Sequence, residues 1–136
     1  MLKYPEVTGR IVEAALKVHT AIGPGVLESV YKTCMAHELR SRGLKALTEV
    51  ALPVVYEGIR MDSGYRIDLF VEDMVIVELK CAEALLPIHK AQLLTYLRLA
   101  NKPIGVLLNL NVLHMREGIR RILNNRYRLA EAAGQA

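Results

Sequence analysis

Three residues in the middle of the chain carry charge where charge is expensive. Asp68 lies inside the apolar run Tyr65–Val71, and Glu78 and Lys80 close the run Met74–Lys80. Ionised groups set among Ile, Leu, Phe and Val cost free energy unless something pairs with them. Two carboxylates and an ammonium brought together suit a divalent cation with a lysine beside it. In one-metal phosphodiester hydrolysis the carboxylates hold the ion. The lysine orients or deprotonates the attacking water, or stabilises developing charge. The plainer alternative is a cross-strand ion pair between Asp68 and Lys80.

Strand geometry must position these groups. Side chains alternate along a strand, so Glu78 and Lys80 share a face with Ile76 while Leu79 turns to the opposite layer. On the same rule Tyr65, Ile67, Leu69 and Val71 face one way, and Asp68 faces the other with Arg66 and Phe70. Around these two strands the pattern predicts a helix over 8–21 with Thr8 as its cap, and the break Gly23-Pro24-Gly25. A second helix follows over about 26–42 and a β-prone stretch over Leu47–Tyr56, where Pro53 argues for an edge or a bulge. A third helix starts at Pro87 and runs to about Ala100. A buried strand over Ile104–Leu110 and a basic helix over Glu117–Asn125 complete the order α-α-β-β-β-α-β-α. That order makes an α/β domain with a mixed central sheet flanked by helices.

The bulk properties agree with one folded domain over 1–136, its core at about 7–125. Hydrophobic residues make up 52% of the chain, which excludes a disordered polymer. No apolar run is long enough for a membrane span, so no membrane partner is expected. The first twenty residues lack the pattern of a signal peptide, so a cytoplasmic location is the expectation. Cys34 and Cys81 make neither a zinc pattern nor a disulfide framework. The net charge is +4, unevenly spread: residues 57–78 hold six acids against Arg60 and Arg66, whereas residues 80–136 hold nine Lys or Arg against three Glu. An acidic centre beside a basic flank suits a metal site that receives a polyanion. Ordinary solvated helix faces would look the same.

Asp68 followed by Glu78-Leu79-Lys80 resembles the signature of the PD-(D/E)XK nuclease superfamily, with Ile67 where the name has proline. Gly25-Val26-Leu27-Glu28-Ser29-Val30-Tyr31 resembles the GxxExxY motif that names one family within it. Gln92-Leu93-Leu94-Thr95-Tyr96 is similar to the QxxxY motif of the RecB-like and lambda-exonuclease-like branches. The resemblance implies a restriction-endonuclease-like fold and a Mg²⁺- or Mn²⁺-dependent nuclease. It implies that Asp68, Glu78 and the Leu79 carbonyl bind the ion and that Lys80 serves the water. It further implies that Glu28 acts as a third carboxylate, directly or through water, and that Gln92 orients the site, with Tyr96 one turn on. Candidate substrate contacts are Tyr96, His19, Arg120 and Arg121, and the partner is nucleic acid, DNA or RNA. A homodimer or a protein partner is compatible with it.

Each of these residues also has a bland reading. An acid in the first turn of a helix is favoured by the helix dipole whatever its function, as for Glu28. Tyr31 suits a core position with its hydroxyl bonded. Gln92 and Tyr96 suit the polar edge of an amphipathic helix, and His19 suits a satisfied buried histidine. The rival to an enzyme is a catalytically silent nucleic-acid-binding or partner-binding module that keeps the fold.

The register between the two central strands decides whether a site can exist. A two-residue Glu72-Asp73 turn would pair Val71 with Met74 and place Asp68 and Glu78 on opposite faces. A three-residue connection, Glu72-Asp73-Met74, or a bulge would pair Val71 with Val75 and bring Asp68 opposite Glu78. The chemistry requires the second.

Overall fold

The computed structural model describes residues 2–129. Helix α1 (Tyr4–Ile22) and helix α2 (Glu28–Ser41) precede a hairpin of β1 (Ala46–Tyr56) and β2 (Ile59–Val71). Then come β3 (Val75–Lys80), α3 (Pro87–Ala100), β4 (Ile104–Asn109) and β5 (Ile119–Leu123). The five strands form one sheet in the order β1-β2-β3-β4-β5, antiparallel except for the β3–β4 pair. Helices α1 and α2 cover one face around Ile11, Met35, Val77 and Leu108. Helix α3 covers the other face around Leu93, Leu97, Ile76 and Leu107. No helix among the described residues is long and apolar enough to cross a membrane.

The register is the one the chemistry requires. Val71 pairs with Val75, Phe70 with Ile76 and Leu69 with Val77, across a three-residue connection. Glu72 and Asp73 both adopt left-handed backbone, at φ 55 and 53, which costs free energy for residues other than glycine. Lys45, just ahead of β1, pins them. Its amide donates to Glu72 Oε2 at 2.7 Å, its carbonyl accepts from the Glu72 amide at 2.8 Å, and its ammonium pairs with Asp73 at 3.0 Å.

Three expectations are corrected. Helix α1 begins at Tyr4, so Thr8 is an interior, buried residue whose hydroxyl donates to the Pro5 carbonyl. Strand β2 begins six residues earlier than Tyr65, because Glu57-Gly58, both at positive φ, closes a long hairpin with β1. The segment after Met115 is a short 3-10 turn and then strand β5, not a helix. Ile119 and Ile122, three apart, read as one face of a helix. In a strand they face opposite ways, and each closes one of the two apolar layers at the open edge of β4. Pro53 does mark both an edge strand and a register shift.

Helix α3 is seated by a glycine. A Cβ on Gly105 of β4 would lie 2.8 Å from Leu93 Cδ1 and 3.0 Å from the Ile76 carbonyl. The helix therefore lies close on the sheet, and Gln92 is the residue next to the contact. Pro87 at the start of α3 and a bond from the Leu86 amide to His89 Nδ1 at 3.0 Å set where the helix begins. Gly105→Val is expected to destabilise the fold by about 1–3 kcal/mol through overpacking, read as a lower urea midpoint with unchanged slope. An unaltered midpoint would mean that α3 can lift without cost.

Candidate active site

Asp68 and Glu78 are each held by the main chain of the opposing strand. The Asp68 amide donates to Glu78 Oε1 at 3.1 Å, and the Leu79 amide donates to Asp68 Oδ2 at 2.9 Å. The backbone ladder between β2 and β3 stops at Leu69–Val77, and these two bonds continue it through side chains. Glu78 is 4% exposed and Asp68 half-buried.

The alternation expected for β2 breaks at Asp68. Leu69 and Val71 pack with the α1–α2 layer, whereas Ile67 packs with the α3 layer. Tyr65 lies on the α3 side too, its ring 5.0 Å from that of Tyr96. Strand β1 breaks at the matching place: Ala46 belongs to the first layer and Val50 to the second, with Glu49 between them at φ 55. Both strands of the hairpin thus cross from one layer to the other where Asp68 stands.

Lys80 closes β3, and its ammonium donates to Gln92 Oε1 at 2.9 Å. No ion pair joins it to Asp68 or Glu78 among the described residues, so the simple cross-strand pair is not formed. Tyr96 lies one turn on from Gln92 along α3, and both line one cleft. The glutamine of the QxxxY pattern therefore reaches Lys80, with the tyrosine beside it on the same helix face. A cleft of about 440 Å³ opens beside it, lined by Tyr65 and Lys80 on one side and by α3 on the other.

The GxxExxY stretch has a local physical account. Gly23 and Gly25 take positive φ, 80 and 86. The buried Tyr31 hydroxyl donates to the Gly23 carbonyl and accepts from the Val26 amide. The turn is thereby fastened to the helix it precedes, and Glu28 is presented as the first residue of α2. Glu28 is exposed as a residue, but its carboxylate lies within electrostatic range of Asp68 and Lys80. Partial burial, then the Asp68 charge, raise its pKa, while Lys80 and Lys32 oppose the rise. Among the described residues no three His, Cys, Asp or Glu side chains come close enough together to hold an ion, so Glu28 does not complete a three-carboxylate cluster.

The remaining candidates lie apart. His19 is buried, and its Nε2 bonds to the Val112 carbonyl at 2.6 Å, a tie between α1 and the loop after β4. Arg120 and Arg121 do not form one patch, because they are neighbours on a strand. Arg120 pairs with Leu107 on the α3 side, and Arg121 pairs with Val106 on the α1–α2 side, beside Tyr4 and Thr8. Several contributors had no motif. Asn109, 1% exposed, clamps Ala82 through both its amide atoms at 3.1 and 2.9 Å and so fixes the segment after Lys80. Asn111 Oδ1 accepts from the Gly25 amide at 3.1 Å. Lys32 pairs with Glu49 and lies within electrostatic range of Asp68 and Glu28. Asparagines directly after the apolar run of β4 were the readable signal for the first two.

A model of the PD-(D/E)XK nuclease superfamily matches residues 5–122. The chain belongs to that superfamily. Searches of curated proteins and of solved structures gave no match. The superfamily match spans every residue of the site, and the five-stranded sheet with its helices is consistent with its fold.

The electrostatics of the site predict a pH dependence. Burial first, then the Asp68 charge, push the Glu78 pKa well above its ordinary 4.5. Burial, then the charges of Glu78 and Asp68, push the Tyr96 phenol up to about 12, so it stays a hydrogen-bond donor at neutral pH. An acid with a raised folded-state pKa holds its proton longer when folded than when unfolded. Metal-free stability should therefore fall as pH rises above 4.5, through neutral pH toward the raised value. Glu78→Gln keeps the oxygen that accepts from the Asp68 amide and removes the titration. In EDTA it should be more stable than wild type at alkaline pH, on the order of 1–3 kcal/mol, with the gap closing at mildly acidic pH. Equal melting temperatures at both ends of that range would show that Glu78 is not strained by its burial.

Proposed function

We propose that the chain hydrolyses phosphodiester bonds in nucleic acid with a divalent cation, Mg²⁺ or Mn²⁺, held by Asp68, Glu78 and the Leu79 carbonyl. The observation that carries this reading is the pair of bonds locking Asp68 and Glu78 together. Each carboxylate commits one oxygen to an amide and keeps the other for a ligand. Two carboxylates are a small donor set, and it suits Mg²⁺, which is bound through one or two carboxylates and otherwise keeps water and substrate phosphate. The ion, when bound, would supply Lewis acidity toward the phosphate and its water.

The chain's own residues do the rest. Gln92 Oε1 accepts from the Lys80 ammonium and aims it into the cleft, where it orients the attacking water or neutralises charge gathering on the phosphate. Tyr96 stands one turn from Gln92 on the same cleft wall. Glu28 acts on the site through water rather than as a direct ligand. The turn from Gly25 to Tyr31 supports placing the chain in the GxxExxY family of the superfamily. The rival reading, a silent binding module, is favoured by one observation, that no third ligating side chain joins the pair among the described residues.

Two variants test the reading. Addition of Mn²⁺ should raise the melting temperature of wild type, since an ion bound only to the native state stabilises it by about 2.7 kcal/mol at a hundredfold excess over Kd. Lys80→Ala should keep that rise and lose metal-dependent cleavage of nucleic acid by roughly 100-fold or more. The Asp68→Asn, Glu78→Gln pair should lose both. A wild type that gains stability from Mn²⁺ but cleaves neither DNA nor RNA would select the binding module. Unchanged cleavage by Lys80→Ala would refute the assignment of the lysine.

A further inference from the structure

Beyond Lys80, Gln92 and Tyr96, the cleft has walls that the phosphodiester reading does not use. Its α3 wall is the stripe Ile88, Ala91, Gln92, Thr95 and Tyr96, at the spacing of one helix face, with His89 beside its N-terminal end. The stripe runs about 12 Å from Ile88 to Tyr96 at the rise of a helix. It is hollow in the middle, because Ala91 and Thr95 have short side chains. The facing wall is Tyr65 from β2, with Lys80 from β3. Two large apolar residues there are unusually open: Tyr65 is 39% and Ile88 66% exposed. The Tyr65 ring packs tilted at 52° against that of Tyr96, with centroids 5.0 Å apart, and Tyr65 also lines the cleft.

The charge distribution narrows the occupant. Among the described residues lining the cleft, Lys80 is the one lysine or arginine. A duplex backbone is gripped by rows of cationic phosphate contacts, and this cleft offers one lysine. An unpaired base has two apolar faces and is held by aromatic side chains. About 440 Å³ is also within the range of small-ligand sites.

We propose that this cleft takes the unpaired base next to the scissile phosphate, stacked on Tyr65, so that the substrate is single-stranded nucleic acid or a frayed duplex end. This rests on the phosphodiester reading of the neighbouring carboxylates. Lys80 then meets the phosphate, Tyr65 the base, and the hollow at Ala91 and Thr95 the sugar. Tyr65 is a positioning residue for substrate and takes no part in moving protons.

The test is binding, measured without turnover. Short single strands of DNA and of RNA carrying 2-aminopurine, and the same sequences closed into hairpin duplexes, are titrated in EDTA at low salt. Wild type and Tyr65→Phe should bind the single strands more tightly than the duplexes and quench the probe. Tyr65→Leu keeps the contact with Tyr96 but removes the aromatic face. It should weaken single-strand binding roughly 5- to 100-fold, the worth of one stacked base, with duplex binding unmoved. Thr95→Trp, which fills the hollow from the helix side, should give the same loss without touching Tyr65. Comparison of the DNA and RNA arms reads which sugar the hollow prefers, and quenching in either supports the stacking. Equal affinity of Tyr65→Leu and Tyr65→Phe for single strands would overturn the proposal, as would wild type binding duplex as tightly as single strand. Metal-dependent cleavage by wild type would still stand in either case. Failure of wild type to bind any of the probes would overturn this proposal, and loss of cleavage as well would remove the nuclease reading beneath it.

Discussion

Two amide-to-carboxylate bonds, Asp68 N–H to Glu78 and Leu79 N–H to Asp68, hold the centre of this molecule together. They satisfy backbone donors that the β2–β3 ladder abandons, and buried donors left alone are costly. They also fix two acidic side chains at close quarters, at the expense of Glu78, whose charged form is opposed by burial and by its neighbour. A site that disfavours its own charge when metal-free has a free-energy incentive to accept a cation. Structure and proposed chemistry therefore draw on the same pair of bonds.

The surrounding elements each supply one constraint to that pair. Helix α3 is brought close by Gly105 and carries Gln92 to Lys80. Helix α2 is anchored through Tyr31 and carries Glu28. Strand β4 contributes no acid or base, yet Asn109 at its end fastens the segment that follows Lys80. The crossing of β1 and β2 between layers, at Glu49 and Asp68, is what lets one hairpin pack under α2 and also wall the cleft under α3.

Much of this was legible in the residues. The charged positions inside apolar runs, the Gly-Pro-Gly break and Pro87 located the elements that matter, and the demand for a shared metal selected the correct register. The failures have physical causes. Ile119 and Ile122 satisfy a helical spacing as well as two opposite faces of a strand, and only the unpaired edge of β4 decides between them. The switch of faces at Asp68 depends on a left-handed Glu49 in the neighbouring strand, and no periodicity in residues 65–71 announces it. Arg120 and Arg121 are adjacent in sequence, and only their place on a strand puts them on opposite faces. Lys32 and Asn109 lie far in sequence from what they touch, and polar residues of their type are common.

The turn that joins β2 to β3 has a consequence for how this chain reaches a single native state. Its left-handed Glu72 and Asp73 are unfavourable in isolation, and Lys45 from beyond the hairpin holds them. Register is thus settled by three segments assembling together and not by the turn alone. A slip of one residue would exchange Glu78 with Val77 or Leu79 and drive a carboxylate into the apolar layer beneath α1 and α2. The misaligned chain would carry that penalty with no amide to offset it. The residue that strains the finished protein is therefore also a proofreading element during folding, because it makes the wrong alignment the more expensive one.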